Sequence, residues 1–574
     1  MAREEKPLVP AEVVQARAAL AAARGRRRLD VILDARDPGA LVRALPADEL
    51  YFTIREIGLA DAAPLVPLAS LEQFRTFLDL DAWRGGQLDP HRALTWLRAA
   101  RSGSTHDPKA AARWRRKLNG IDRELFFFVL RESVVVHELE EGKDPEIHSD
   151  RVVRTPDGRY AVEFLPEGAE YSALRGLLDD LYAEDPFQAG RLLGALKWEV
   201  PSELEETALR WRQGRLADLG VPPLEEALSW FARPPRTPAP AGAEAEPGLP
   251  ERPPGYWLAS LASGSLLDRG ADALDPLDRP ALEGQLVAAA NAVLVADQVD
   301  VADPDAVRAS FQAARALLEL GLAARLRAAS RPLEGPAAAE VLRDVPVKRL
   351  FQEGFGRVLE LKFRAERLVK AGGAGTREAP LLDAPLGEAL FALVAKRPRH
   401  HPGLDAPREE WATLAAAAYA PRAFLSEADL ARTAAALDQC EGLLGLARSL
   451  GLAVSLPGTP PPRLTALYLT ALANERLGRG FAPAPIAAGE LARAVEVLAG
   501  SPARREPPER RPLAAGPESK DEGRAAIDDQ RLTTAGAAGA LLLELARGRA
   551  AELARLADAG ELRAERVTEL VVQP

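Results

Sequence analysis

The feature that most constrains this chain is the repeat distance of its apolar residues. Val307, Phe311, Ala314, Leu318 and Leu322 recur three or four positions apart, and Phe351, Phe355, Val358, Leu361, Ala365 and Leu368 do the same. Residues so spaced share one face of a 3.6-residue helix and cannot share one face of a strand, whose period is two. Asp303-Pro304-Asp305 precedes the first stripe as a helix start: a carboxylate caps the free amides, and a proline at the first position gives up an N–H the helix would not use. Leu350, Leu359 and Phe363 flank the second stripe, which predicts burial on more than one side. Gly354 and Gly356 within it predict a closely packed neighbour. The chain reads as all-α and multi-helical.

Four stretches near the N-terminus, Pro46-Ala-Asp-Glu-Leu50, Ser70-Leu-Glu-Gln-Phe74, Pro90-His-Arg-Ala-Leu94 and Ile121-Asp-Arg-Glu-Leu125, each open a short helix with an apolar face. Their spacing is too irregular for a defined repeat class, but a solenoid-like stack is the expected arrangement. One β element interrupts the pattern. Arg151-Val-Val-Arg-Thr155 and Arg159-Tyr-Ala-Val-Glu-Phe164 flank Pro156-Asp157-Gly158, which predicts a small hairpin at 151–164 lying against helices.

With 574 residues, 47% hydrophobic, there is enough apolar material for several cores. The expected organisation is a helical repeat-like region at 1–150, the hairpin with helices at 151–232, and a proline-rich linker at 233–255. A helical domain at 256–499, a disordered linker at 500–523 rich in Pro and mixed charge, and C-terminal helices at 524–574 follow.

The net charge of −10 argues against a polyanion-binding protein. Ten lysines leave 64 arginines among the 74 basic residues, a bias that a GC-rich genome explains without nucleic acid. Lys109, Arg113, Arg115, Arg116 and Lys117 nevertheless surround Trp114, either as a phosphate clamp with a stacking ring or as a basic helix end facing the acidic 138–150 stretch. Arg24 and Arg26, Arg27 and Arg28 form a second basic cluster, either touching an anionic membrane or, more simply, a helix end. The single cysteine, Cys440, permits no intrachain disulfide, which fits the cytoplasm. The charged start Met1-Ala-Arg-Glu-Glu-Lys-Pro7 lacks the apolar core of a secretory leader, and the longest uncharged runs are too short to span a bilayer. A protein that is not transmembrane is expected.

The sequence carries no paired Cys-x-x-Cys, no His-Glu-x-x-His, no P-loop and no Gly-x-Ser-x-Gly, so no catalytic residue and no cofactor is assigned. Gly372-Gly-Ala-Gly-Thr376 lacks the lysine of a phosphate-binding loop and reads as a helix stop. His137, Glu140, Asp144 and His148 are the candidate ligands for a divalent cation; the other reading is a solvated acidic loop leading into the hairpin. His400-His401, between Pro398 and Pro402, reads as a surface turn, and Cys440 as a buried thiol in a helix over 435–450. Trp83, Trp96, Trp114, Trp198, Trp211 and Trp230 all precede the linker; most read as core anchors, with one or two left to line an interaction groove.

Several segments resemble an uncharacterised bacterial family, mainly delta-proteobacterial, that is a domain of unknown function. They are Leu45-Pro-Ala-Asp-Glu-Leu-Tyr-Phe52, Leu68-Ala-Ser-Leu-Glu-Gln-Phe74, Leu78-Asp-Leu-Asp-Ala-Trp83 and Thr155-Pro-Asp-Gly-Arg-Tyr160. Further on come Arg210-Trp-Arg-Gln-Gly-Arg-Leu-Ala-Asp-Leu-Gly220, Leu350-Phe-Gln-Glu-Gly-Phe-Gly356 and residues 464–483. The resemblance implies one family unit on both sides of the linker and no activity. Over residues 30–130 the Leu-Pro-x-x-Glu-Leu pattern also looks like the superhelical cytoplasmic domain of MgtE-type magnesium transporters, although the membrane helices of such transporters are missing. The first expectation is thus a non-enzymatic helical interaction or scaffold protein whose partners are other proteins. One alternative is an enzyme or ligand-binding protein with a site assembled from scattered Asp, Glu, Arg and His residues. The other is a peripheral regulator of a membrane or ion-handling system.

Overall fold

The computed structural model describes residues 25–573 except 85, 140–146, 148, 199–200, 234–263, 415–418, 453–461, 500–528 and 565–566, together with 15, 19, 20 and 23. Both expected linkers, apart from Arg233, lie outside the described residues. Helix makes up 67% of the structure, with only small sheets, so the all-α expectation holds. By internal contacts the chain divides into two compact units, Met1–Gln352 and Glu353–Pro574. None of its described helices is long and apolar enough to cross a membrane.

The first unit opens with α1 (Arg26–Leu33), α2 (Pro38–Ala44), α3 (Ala47–Ile57), α4 (Leu59–Ala62), a 3-10 turn (Ala63–Leu68) and α5 (Leu71–Asp81). A hairpin of β1 (Trp83–Arg84) and β2 (Gln87–Leu88) leads to α6 (Pro90–Arg101), α7 (Pro108–Gly120) and α8 (Arg123–Arg131). The four predicted helix openings are all used. At α5, Ser70 Oγ accepts from the Gln73 amide and Gln73 Oε1 accepts from Ser70, a reciprocal cap. The same buried Gln73 donates its Nε2 to the carbonyls of Val42 and Leu45, so one side chain closes two helix ends. Tyr51, Phe74, Phe77 and Trp96 fill the space between α3, α5 and α6, with the Phe77 and Trp96 ring centres 5.0 Å apart.

The predicted hairpin forms from β4 (Val152–Arg154) and β5 (Tyr160–Phe164), turning at Gly158 with φ of 71°. It is part of a larger sheet. β3 (Val134–Glu138) pairs antiparallel with the other edge of β5, giving the order β3-β5-β4. Every residue of β5 is buried, as a central strand requires. Next come α9 (Gly168–Glu184), α10 (Pro186–Trp198), α11 (Pro201–Asp218) and α12 (Leu224–Ser229). After the undescribed stretch the unit continues with α13 (Leu266–Asp272), α14 (Arg279–Ala296), α15 (Pro304–Ala328) and α16 (Gly335–Asp344). Asp303 caps α15 as expected, accepting from the amides of Asp305 and Ala306, and the stripe from Val307 to Leu322 is buried. Asn291 on α14 donates to the Gly220 carbonyl, so residues on both sides of the undescribed 234–263 share this unit.

The division between units falls within α17 (Val347–Lys370). Here two expectations hold only in part, since Gly354 and Leu350 are buried. A Cβ on Gly356 would meet nothing within 4 Å, so no close neighbour explains that glycine. Phe363 is 44% exposed, so the far end of the helix is covered on one side only. The second unit then packs α18 (Leu386–Val394), α19 (Glu427–Ser449), α20 (Leu464–Arg476), α21 (Leu491–Leu498), α22 (Gln530–Thr533) and α23 (Gly536–Asp558). Short parallel strands β6 (Ile486–Ala487) and β7 (Val572–Gln573) close its C-terminus. Cys440 is buried on α19 as expected, and burial pushes its thiol up to about 12.

Candidate functional site

A convergence of ionisable groups in the first unit grows out of the end of α5. Asp79 and Asp81 are two positions apart, so the helix turns them about 200° from each other and each faces a different neighbour. Both are nearly fully buried. Arg215 on α11 grips Asp79 with two bonds, Nε to Oδ2 at 2.7 Å and Nη2 to Oδ1 at 2.9 Å, and reaches Asp122 at 2.8 Å. Arg212, one turn earlier, donates Nε to the Asp79 carbonyl at 2.7 Å and lays its guanidinium 5.3 Å from the Trp83 ring centre. Burial lowers Arg212 to about 10, against the pull of Asp79. The hydrogen bonds to Asp79 hold Arg215 charged.

Asp81 accepts from the indole Nε1 of Trp96 at 2.6 Å and from Arg92 at 3.0 Å, with Arg55 at 3.6 Å. Arg92 continues to Asp300 with two bonds of 3.0 and 2.8 Å. The Arg92 bond holds the Asp300 carboxyl below its ordinary range. Arg55 donates to the Ala302 carbonyl, so the chain near 300 is tied to α3 and α6 together. The Tyr51 hydroxyl is buried beside these charges with no hydrogen-bond partner, and burial, then Asp81, keep it protonated well above the usual tyrosine range. Chemically the network cancels charge: each carboxylate already carries an arginine, and the phenol is held neutral.

A second cluster lies in the second unit. His400, Asp405 and Asp429 bring one ligand atom each within 4.8 Å of one another, a spacing compatible with a metal ion. Their other bonds fill that role instead. Arg422 takes Asp429 at 2.6 and 3.1 Å and Asp405 at 3.2 Å, and Arg432 takes Asp405 at 2.7 Å. His400 Nδ1 sits 2.9 Å from Thr433 Oγ1 and Nε2 3.3 Å from Asp405. A cation would have to displace both arginines. Burial pushes Asp429 up, but the bonds from Arg422 and the Leu425 amide win and hold it at about 2. Burial likewise lowers both His400 and His401.

A family model matches residues 5–570, spanning both clusters and all the segments on which the resemblance rested. The chain belongs to DUF6178, a family of unknown function. No curated protein and no solved structure matches it. Two of those DUF6178-like segments, Leu78 to Trp83 and Arg210 to Gly220, meet each other at the Asp79–Arg212–Arg215 contact.

Other sequence-predicted residues are placed as follows. His137 lies on β3, its Nε2 3.1 Å from Glu163 Oε2 on β5. Glu140, Asp144 and His148 lie outside the described residues. The His400-His401 surface turn is corrected: the two are 0% and 2% exposed, because His400 and Arg422 exchange backbone hydrogen bonds and His401 caps the turn Pro402–Asp405. Of the two readings of the basic helix, the phosphate clamp with a stacking ring fails. Trp114 is buried, with Nε1 bonded to Asp180 at 2.7 Å. Trp96 and Trp230 are core residues, while Trp198 and Trp211 are 74% and 60% exposed. A cleft of about 310 Å³ opens between α13, α14 and α15, with Leu267, Leu286 and Phe311 on its apolar wall. Its charged residues pair with one another, Arg315 with Asp268 and Arg279 with Asp272 and Glu283.

Proposed function

We propose that this protein is a non-enzymatic helical scaffold that binds another protein through exposed aromatic side chains of α10 and α11. The observation that carries the reading is the exposure of Trp211 beside Arg212 and Arg215, which lock the same helix to the end of α5. Trp198 and Phe187, both on α10, are exposed as well. Tryptophan dominates binding energy at interfaces, and rigid anchoring of its helix removes the cost of ordering it on contact. The carboxylates and arginines of the first-unit network support the same reading, since their capacity is spent inside the fold. A cytoplasmic setting belongs to this proposal and rests on the single cysteine.

The test is affinity capture of the full chain from its native host, comparing wild type with a Trp198→Ala Trp211→Ala double variant. A partner retained by wild type and lost from the folded double variant supports the proposal. Equal capture by both, or reduced capture only with loss of folding, rules out this face.

A further inference from the structure

The basic helix singled out in the sequence has an electrostatic peculiarity. Lys117 on α7 is 2% exposed, yet among the described residues its ammonium meets only one acceptor, the Pro67 carbonyl at 3.1 Å. An ammonium carries three donors, and a buried one without a carboxylate is costly. Its neighbours add to the imbalance. Arg113 lies four positions earlier, on the same face of α7. Among the described residues the Arg113 Nε is buried without a partner, and its one carboxylate is Asp107 at 3.7 Å, which is half exposed and already accepts from the amides of Lys109 and Ala110. Arg43 stands in the last turn of α2. Helices α2 and α7 both pack on the 3-10 turn Ala63–Leu68 whose Pro67 carbonyl Lys117 touches. The charges of Arg113 and Arg43 add to burial in lowering Lys117 to about 8.

We infer that Arg43, Arg113 and Lys117 form a binding site for a phosphoryl group or similar small oxyanion. The three cations differ in exposure: Arg43 is exposed, Arg113 half-buried and Lys117 buried. A dianion entering beside Arg43 and Arg113 supplies the missing acceptors, and charge-assisted bonds from guanidinium groups suit its oxygens. Trp114 takes no part, since its indole is committed to Asp180. The site reads a charged group rather than a base, and so agrees with the net charge that argues against nucleic acid.

The experiment is calorimetric titration of the full chain with inorganic phosphate at constant ionic strength. Wild type, Arg43→Gln, Arg113→Gln and Lys109→Gln are compared. Arg43→Gln is the main arm, because Arg43 is exposed and its loss leaves the fold intact. Lys109→Gln removes an exposed charge from the same helix and controls for non-specific attraction. One phosphate should bind wild type, roughly tenfold weaker in Arg43→Gln and Arg113→Gln, and unchanged in Lys109→Gln. Co-sedimentation with vesicles containing phosphatidic acid separates the sources. Sedimentation lost in Arg43→Gln assigns a lipid headgroup, and phosphate binding without sedimentation assigns a soluble ligand. Absence of binding in both formats up to about 10 mM phosphate, a free energy below about 3 kcal/mol, overturns the site. Equal weakening by Lys109→Gln overturns it too.

Discussion

The two units solve one problem in different ways. Each buries a carboxylate and satisfies it with arginine, but Arg215 lies 136 positions from Asp79 whereas Arg422 lies 7 from Asp429. The cost of bringing partners together grows only slowly with the chain between them, so both contacts can be strong. What differs is what they hold. The Asp79 pair fixes α11 against the end of α5, and Asp300 ties the chain after the undescribed stretch to α6. The Asp429 pair folds a single irregular segment onto the helix that follows it. The first is architecture across the unit; the second is local tailoring.

The comparison breaks most visibly at Asp79. Asp79→Ala leaves Arg215 with only Asp122 and should destabilise the first unit by about 3–5 kcal/mol, as removal of one partner of a buried pair does. Hydrogen exchange across α5 and α11 should accelerate together while α19 stays unchanged. A loss under about 1 kcal/mol would mean that the pair is not structural.

Acid sharpens the contrast from the other side. Asp429 is held at about 2, below its unfolded value of 3.8, so its contribution is present above that unfolded value and lost as pH falls toward the folded one. The loss, on the order of 2 kcal/mol, should appear between about pH 4 and pH 2 and be confined to the second unit. Fluorescence of Trp411, buried with its Nε1 on the Ala406 carbonyl, follows that region. The same acid profile in Asp429→Asn would refute the assignment.

A smaller effect is expected at Trp96→Phe. The ring volume is largely kept, but Asp81 loses its 2.6 Å indole donor while retaining Arg92. The cost should be about 1–2 kcal/mol in denaturant unfolding. A neutral result would show that the arginines alone satisfy Asp81.

The same contrast explains what could be seen in the sequence. Features made by neighbouring residues were legible: the Asp303 cap, the Ser70 helix opening, the turn at Gly158, the buried thiol of Cys440. Val134-Val135-Val136 is not among the strands predicted from the sequence, and its pairing with β5 is a tertiary choice that no local pattern specifies. His400-His401 looked like surface because histidine between prolines usually is; only the exchange with Arg422 makes it interior. Asp79 and Asp81 appeared only as part of a segment carrying a resemblance. Their partners lie too far along the chain for spacing to reveal them.

The central claim is that α11 does two jobs, holding the fold through Arg212 and Arg215 and presenting the exposed Trp211 beside them to a partner. Trp211 and Arg215 are one helical turn apart and share a side of that helix, yet the first is 60% exposed and the second is locked to Asp79. Equilibrium unfolding in guanidinium chloride of Trp211→Ala and Arg215→Gln, followed by hydrogen exchange in the first unit, tests this most directly. Arg215→Gln should cost about 3 kcal/mol or more and Trp211→Ala less than about 1 kcal/mol. Comparable losses in the two variants would make Trp211 a structural residue and contradict the account.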